Sequence, residues 1–101
     1  MTTARIAVGL LLTLSAWAQK DAKDVYLDKC SVCHGADGAG KTAKGRKLKV
    51  KDVHETAAKM SAADMIKIVE NGKGENMDGF GKELSKDQIK AIVDYFRSLA
   101  K

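Results

Sequence analysis

The chain has 101 residues, 18 Lys plus Arg against 13 Asp plus Glu, a formal net charge of +5, two Cys, two His and no Pro. That length holds one domain, because a second would be too small to bury a core of its own. A hydrophobic share of 45% excludes a disordered tail, and no apolar run reaches the roughly 18 to 20 residues that a membrane-spanning helix needs.

Residues 1–18 read as a secretory signal peptide. Arg5 gives a short basic start, residues 6–14 are mostly apolar, and Ala16-Trp17-Ala18 has the A-x-A spacing that a signal peptidase accepts. Cleavage is expected before Gln19, with an uncleaved anchor as the alternative. The domain is then residues 19–101, with 17 basic and 13 acidic side chains, since Arg5 is the only charge removed. A domain of this size usually needs a staple, such as a disulfide, a metal, a cofactor or a partner.

In chain order, a first helix is expected from about Asp21 to Cys33. Asp21 caps it, and Val25, Tyr26, Lys29, Cys30 and Cys33 lie along one side. The glycine-rich run 35–40 breaks it. Lys41, Lys44, Arg46, Lys47, Lys49 and Lys51 then make residues 41–51 the most basic stretch. A second helix begins at Ser61, runs through Met65 and Ile68 and ends at Asn71-Gly72. After the glycine-rich run 72–81, the last helix opens with Ser85 and Gln88 as a capping box. It carries the stripe Ile89, Ile92, Val93, Phe96, Leu99. No strand signal of any strength is present.

Cys30-Ser31-Val32-Cys33-His34 has the C-x-x-C-H pattern of covalent haem attachment. Thiols at i and i+3 on a helix end face the same way, so both can reach the vinyl groups on one porphyrin edge. His34 then offers its imidazole to the iron as proximal ligand. Three rivals share parts of the motif. A thioredoxin-like C-x-x-C needs a βαβ context. Structural zinc needs a tetrahedral set, which Cys30, Cys33, His34 and His54 could supply on paper. A plain disulfide between Cys30 and Cys33 would close almost no loop and stabilise little.

Four residues compete for the second axial position. Met65 falls on the stripe of the second helix and Met60 sits just before it, so both have packing roles to fill. His54 follows a charged stretch. Met77 lies between Asn76 and Asp78 in a polar, glycine-rich loop and has no packing role there, which makes it the expected distal ligand. A coordinatively capped iron suits electron transfer, whereas an open sixth site suits ligand binding or peroxidase-like chemistry.

The motif Cys30–Gly35, Met77 with Phe80 three residues later, and the run from Ile92 to Leu99 resemble class I cytochromes c of the small bacterial monohaem kind. The resemblance covers nearly all of residues 20–101. It implies an all-α cytochrome c fold, with three main helices and glycine-rich loops wrapped around one covalent haem c. It also implies a Tyr26 packed on the C-terminal helix beside Tyr95, with Leu48 and Phe80 against the haem. The implied function is a non-enzymatic, monomeric electron carrier of the bacterial periplasm or secreted space, meeting redox proteins transiently. Basic residues 41–51 could face acidic docking surfaces; neither nucleic acid nor stable membrane insertion is implied.

This chain departs from the family pattern twice. Asp78 stands where proline usually follows the ligand methionine, which could leave the loop labile and keep the open-site reading alive. Asp78 near the iron would also favour the ferric state. Arg46 or Lys47 stands where a proline carbonyl usually accepts the proximal histidine's N–H. Any backbone carbonyl can make that bond, so this change is expected to cost little.

Overall fold

The computed structural model describes residues 22–101. The signal peptide, its cleavage point and the Asp21 cap lie outside the described residues. Helical backbone at 22–25 continues into a π-helical segment, Tyr26–Cys30, and then into α1, Ser31–His34. Next come α2 (Ala43–Lys47), α3 (Val53–Lys59), α4 (Ala62–Asn71) and α5 (Lys86–Ser98). The described residues hold no strand, only an isolated antiparallel bridge between Lys73 and Met77.

The two long helices form where the pattern places them, and their caps show why. The Ser61 hydroxyl accepts the Asp64 N–H (3.1 Å) at the start of α4. At α5, Ser85 accepts from the Gln88 N–H (3.1 Å), while the Gln88 side chain accepts from the Ser85 N–H (2.8 Å). Each bond satisfies a donor that the first helical turn leaves unpaired.

Two findings correct the expected layout. First, the helix leading to the motif is not α throughout: the Ser31 N–H bonds to the Tyr26 carbonyl, five residues back, which widens the turn. Second, α2 and α3 lie within residues 41–59, where no helix is expected. They are five and seven residues long, too short for a periodic stripe. Their caps fix them instead: Thr42 accepts from the Gly45 N–H and Asp52 from the His54 N–H.

The core sits between the entering helix and α5. Ala22, Tyr26 and Ile92 are buried together, with Val25, Leu84, Tyr95, Phe96 and Leu99 packed around them. Ile89 and Val93 are also buried, as are Met65 on α4 and Val53 at the start of α3. The Tyr26 ring lies 5.3 Å from Tyr95 and 5.9 Å from Phe96, both tilted, which is the packing of Tyr26 on the C-terminal helix that the resemblance implies. The Tyr26 hydroxyl donates to the Gly35 carbonyl (2.6 Å), tying the core to the residue after the motif.

Burial above all, aided by the negative charge that Cys30, Tyr95 and Asp37 can carry, holds the Tyr26 phenol well above the usual tyrosine range. A raised folded-state pKa gives stability that is complete below the unfolded value of about 10 and is lost as pH rises past it. Tyr26→Phe is therefore expected to lower stability at pH 7 by about 1–3 kcal/mol, because the Gly35 carbonyl loses its donor. It should also flatten the alkaline fall in stability that sets in above about pH 10. Urea unfolding at several pH values checks both effects.

Candidate haem site

The three motif residues are held at the end of the entering helix. Cys30 and Cys33 are free thiols, each partly buried. Burial pushes the Cys30 thiol up to about 11; Cys33 adds to the rise, while Lys29 opposes it. A thiol raised this far is the reverse of the low-pKa nucleophile of a redox C-x-x-C site, which weighs against the thioredoxin-like alternative. Gly35 ends the helix at φ 83° and ψ 153° and turns the chain away.

His34 is buried enough that desolvation lowers its pKa, favouring the neutral imidazole that a metal binds. Its ring meets Phe96 of α5 edge-on, with centroids 5.1 Å apart and planes at 68°. Its Nδ1 is buried with no hydrogen-bond partner. The expected carbonyl partner from Arg46 or Lys47 is thus not in place. The Arg46 carbonyl instead accepts the Lys49 N–H (3.2 Å), closing a turn in which Lys49 takes a left-handed φ of 59°.

The basic segment is clamped onto the motif. The Thr42 hydroxyl donates to the Val32 carbonyl (2.7 Å), with the Cys33 carbonyl also in reach at 3.3 Å. Gly45 then sits so close that a Cβ there would fall deep within contact of the Cys33 carbonyl oxygen and 2.6 Å from that of Gly40. Both obstacles are backbone and cannot swing aside. Gly45→Ala should therefore lower the stability of the haem-loaded protein by about 1–3 kcal/mol. The denaturant midpoint measures this, and an unchanged midpoint would mean that the clamp yields freely.

Met77 is held separately, in a loop hung from the end of α4. Lys73 donates to the Met77 carbonyl (2.9 Å), and Met77 donates back to the Lys73 carbonyl (3.3 Å). Phe80 N–H bonds to Val69 O (2.7 Å), and Gly81 N–H to Glu70 O (3.0 Å). At Gly72, with φ 83°, a Cβ would lie 2.6 Å from the Met77 carbonyl and 2.8 Å from the Gly79 nitrogen, so only glycine lets the loop close here. Met77 and Phe80 are half-buried and Asp78 is exposed. Solvent therefore screens the Asp78 charge, which weakens the expectation that it favours ferric iron.

The other candidates fall elsewhere. Leu48 ends α2 and is half-buried. Met65 is buried, with the Arg97 guanidinium 3.7 Å from its sulfur; the same Arg97 nitrogen donates to the Met60 carbonyl (2.8 Å). His54 is exposed and paired through Nδ1 with Asp52 (2.8 Å), so it does not join the motif. Hydrogen bonds from the His54 backbone and side chain hold the Asp52 carboxyl below its ordinary value. Among the described residues, no three His, Cys, Asp or Glu side chains converge on a metal position, so the zinc set is not assembled. Phe96, Thr42 and Gly45 are the site residues that the sequence reading does not single out for these roles.

Two free thiols three residues apart, followed by a partly buried imidazole whose Nδ1 is buried without a partner, fit a covalently held haem. The site and the helical fold define a c-type cytochrome. Comparison with known proteins gives the family: residues 18–96 match the model described as cytochrome c oxidase, cbb3-type, subunit III, and the chain belongs to that family. Its cofactor is haem c, and its chemistry is electron transfer.

Among curated relatives, the cbb3-type oxidase subunit CcoP of Azospirillum sp. (strain B510) is 31% identical over 99 residues. That is 85% of this chain and 32% of the relative. Subunit FixP of Azorhizobium caulinodans is 28% identical over 81% of this chain and 27% of its own length. The chain thus spans about a third of the curated relatives it matches. The solved c-type cytochrome KustC0563 superposes with a TM-score of 0.73 at 32% identity, covering 79% of this chain and 98% of that one.

Proposed function

We propose that this protein is a one-electron carrier of the bacterial periplasm. In this reading Cys30 and Cys33 hold the haem as thioethers, and His34 and Met77 are the axial ligands. The signal peptide is removed before Gln19, leaving residues 19–101 as the working domain. Bound there, the haem supplies a ferric/ferrous couple. His34 contributes an imidazole nitrogen that desolvation biases toward its neutral form, and Met77 a soft sulfur that favours the ferrous state. Leu48 and Phe80 supply apolar surface to the cofactor. The described residues include no helix long and apolar enough to cross a membrane. Exchange with redox partners is transient in this reading, even though the curated relatives are named as oxidase subunits.

The observation that carries the capped-iron reading is the two-way backbone pairing of Lys73 and Met77. Proline after the methionine would stiffen the loop through its fixed φ. Here the paired backbone and the close packing at Gly72 can supply that stiffness despite Asp78. The second reading, a ligand-binding or peroxidase-like haem protein, rests on Asp78 and on a labile Met77. Carbon monoxide separates the two. The ferrous protein at neutral pH is expected to bind it weakly and slowly, while Met77→Ala binds it readily. Fast, tight binding by the unaltered protein would favour the open-site reading.

A further inference from the structure

The backbone around His34 is fixed by hydrogen bonds. The His34 carbonyl accepts the Gly40 N–H (2.8 Å), and the next carbonyl, that of Gly35, accepts the Tyr26 hydroxyl (2.6 Å). Neither bond holds the ring itself. The outer torsion of a histidine side chain is broad, so the plane of the imidazole is set by what touches it. In most metal-binding histidines a hydrogen bond from the second ring nitrogen does this. Here Nδ1 is buried with no partner, and the Arg46 carbonyl expected to serve it takes the Lys49 N–H instead.

Among the described aromatic side chains, Phe96 meets the His34 ring. The centroids lie 5.1 Å apart and the planes cross at 68°, the T-shaped arrangement that ring quadrupoles favour. Phe96 is not free to follow a turning imidazole. It packs against the buried cluster of Ala22, Tyr26 and Ile92, and its ring lies 5.9 Å from that of Tyr26. Helix α5, which carries it, is fixed at both ends. Ser85 and Gln88 cap its start, and Arg97 in its last turn donates to the Met60 carbonyl (2.8 Å). The far end of the chain thus presents a held ring to residue 34.

We infer that Phe96 is a positioning residue for the proximal ligand: its T-shaped contact fixes the rotation of the His34 imidazole, in place of a hydrogen bond at Nδ1. The inference rests on the reading of His34 as an axial ligand and adds what orients that ligand. A side chain whose own rotamer is locked by packing can hold a ligand in one geometry. An imidazole held this way presents one plane to the iron. Without the Phe96 ring, neither a polar contact nor an intrinsic torsional preference selects that plane.

The test is proton NMR of the ferric, haem-loaded protein. The order and spread of the four haem ring-methyl resonances report how the axial ligands are oriented, because the unpaired spin follows the orbitals those ligands face. Phe96→Leu keeps an apolar side chain and removes the flat ring. It is expected to reorder the four resonances or compress their spread. Phe96→Tyr, which keeps the ring, should retain the wild-type order. Ile89→Val loosens the buried face of α5 elsewhere; it should lower the denaturant midpoint and leave the methyl order alone. The near-infrared methionine band, recorded beside each spectrum, should be the same in all four proteins, so that a changed order reports the imidazole. Phe96→Ile serves the same comparison where the leucine variant fails to load haem. A wild-type methyl order in the leucine or isoleucine variant would overturn the inference, since Phe96 would then be packing alone. A tyrosine variant that matches the leucine variant would overturn it too. Absence of the strongly upfield ring protons of a haem-bound histidine from the ferrous wild type would instead sink the ligation reading, and this inference with it.

Discussion

Replacing both motif cysteines, as Cys30→Ala/Cys33→Ala, is expected to leave a chain without a cooperative fold at 25 °C. The reason is the size of the core. Among the 80 described residues only seven hydrophobic side chains are buried: Ala22, Tyr26, Val53, Met65, Ile89, Ile92 and Val93. Fixing each residue's backbone costs about 1–2 kcal/mol of entropy, and a core this small offsets little of it. The covalent haem is the proposed staple: its apolar faces would cover side chains such as Phe96 and Leu48, which are half-buried in the polypeptide alone. Typical stabilities are about 5–15 kcal/mol, so losing the cofactor's share removes most or all of the total. Far-ultraviolet circular dichroism should show more than half of the helical signal gone, with no sigmoidal melt. A haem-free variant that still melts cooperatively above 40 °C would show that the protein core suffices.

The second large effect concerns the potential. Met77→Ala is expected to lower the midpoint potential by on the order of 0.2 V, a fraction of the about 0.8 V that axial ligands can span. A thioether favours ferrous iron, and water or a nitrogen base in its place does not. The loop itself should survive, because Lys73, Phe80 and Gly81 hold it through backbone bonds that do not involve the methionine side chain. The variant should therefore stay folded with its haem attached, so that the shift reports ligation and not unfolding. Spectroelectrochemical titration measures the shift. A potential within about 50 mV of wild type, on the same axial-ligand scale, would mean that Met77 is not the ligand.

The parts of this architecture that were legible in the sequence are those written in local chemistry. Cys30, Cys33 and His34 form the C-x-x-C-H pattern by spacing alone. Ser61 with Asp64, and Ser85 with Gln88, mark the starts of α4 and α5 because a cap is a contact between residues three apart. The burial of Met65 was legible because it lies on the apolar stripe of the second helix. What the sequence hid depends on distant parts of the chain. Gly45 looks like a helix breaker, yet it lies inside α2 because the Cys33 carbonyl leaves no room for a Cβ. The π turn at Tyr26–Cys30 has no residue signature, since Leu27 and Val32 would serve an α-helix as well. The expected partner for the His34 Nδ1 failed because the Arg46 carbonyl is drawn into the turn around Lys49. The meeting of His34 with Phe96 joins residues 62 positions apart, which no local pattern encodes.

The central claim is that His34 and Met77 together cap the iron, and the ferric absorption spectrum tests it most directly. The chain is expressed with a c-type maturation system, and the purified ferric protein is scanned for the weak near-infrared band of a methionine sulfur bound to iron. The band is expected in the wild type at neutral pH and should be absent from Met77→Ala, with the Soret band retained in both. A haem-loaded wild type without the band, or a Met77→Ala variant that keeps it, would contradict the account.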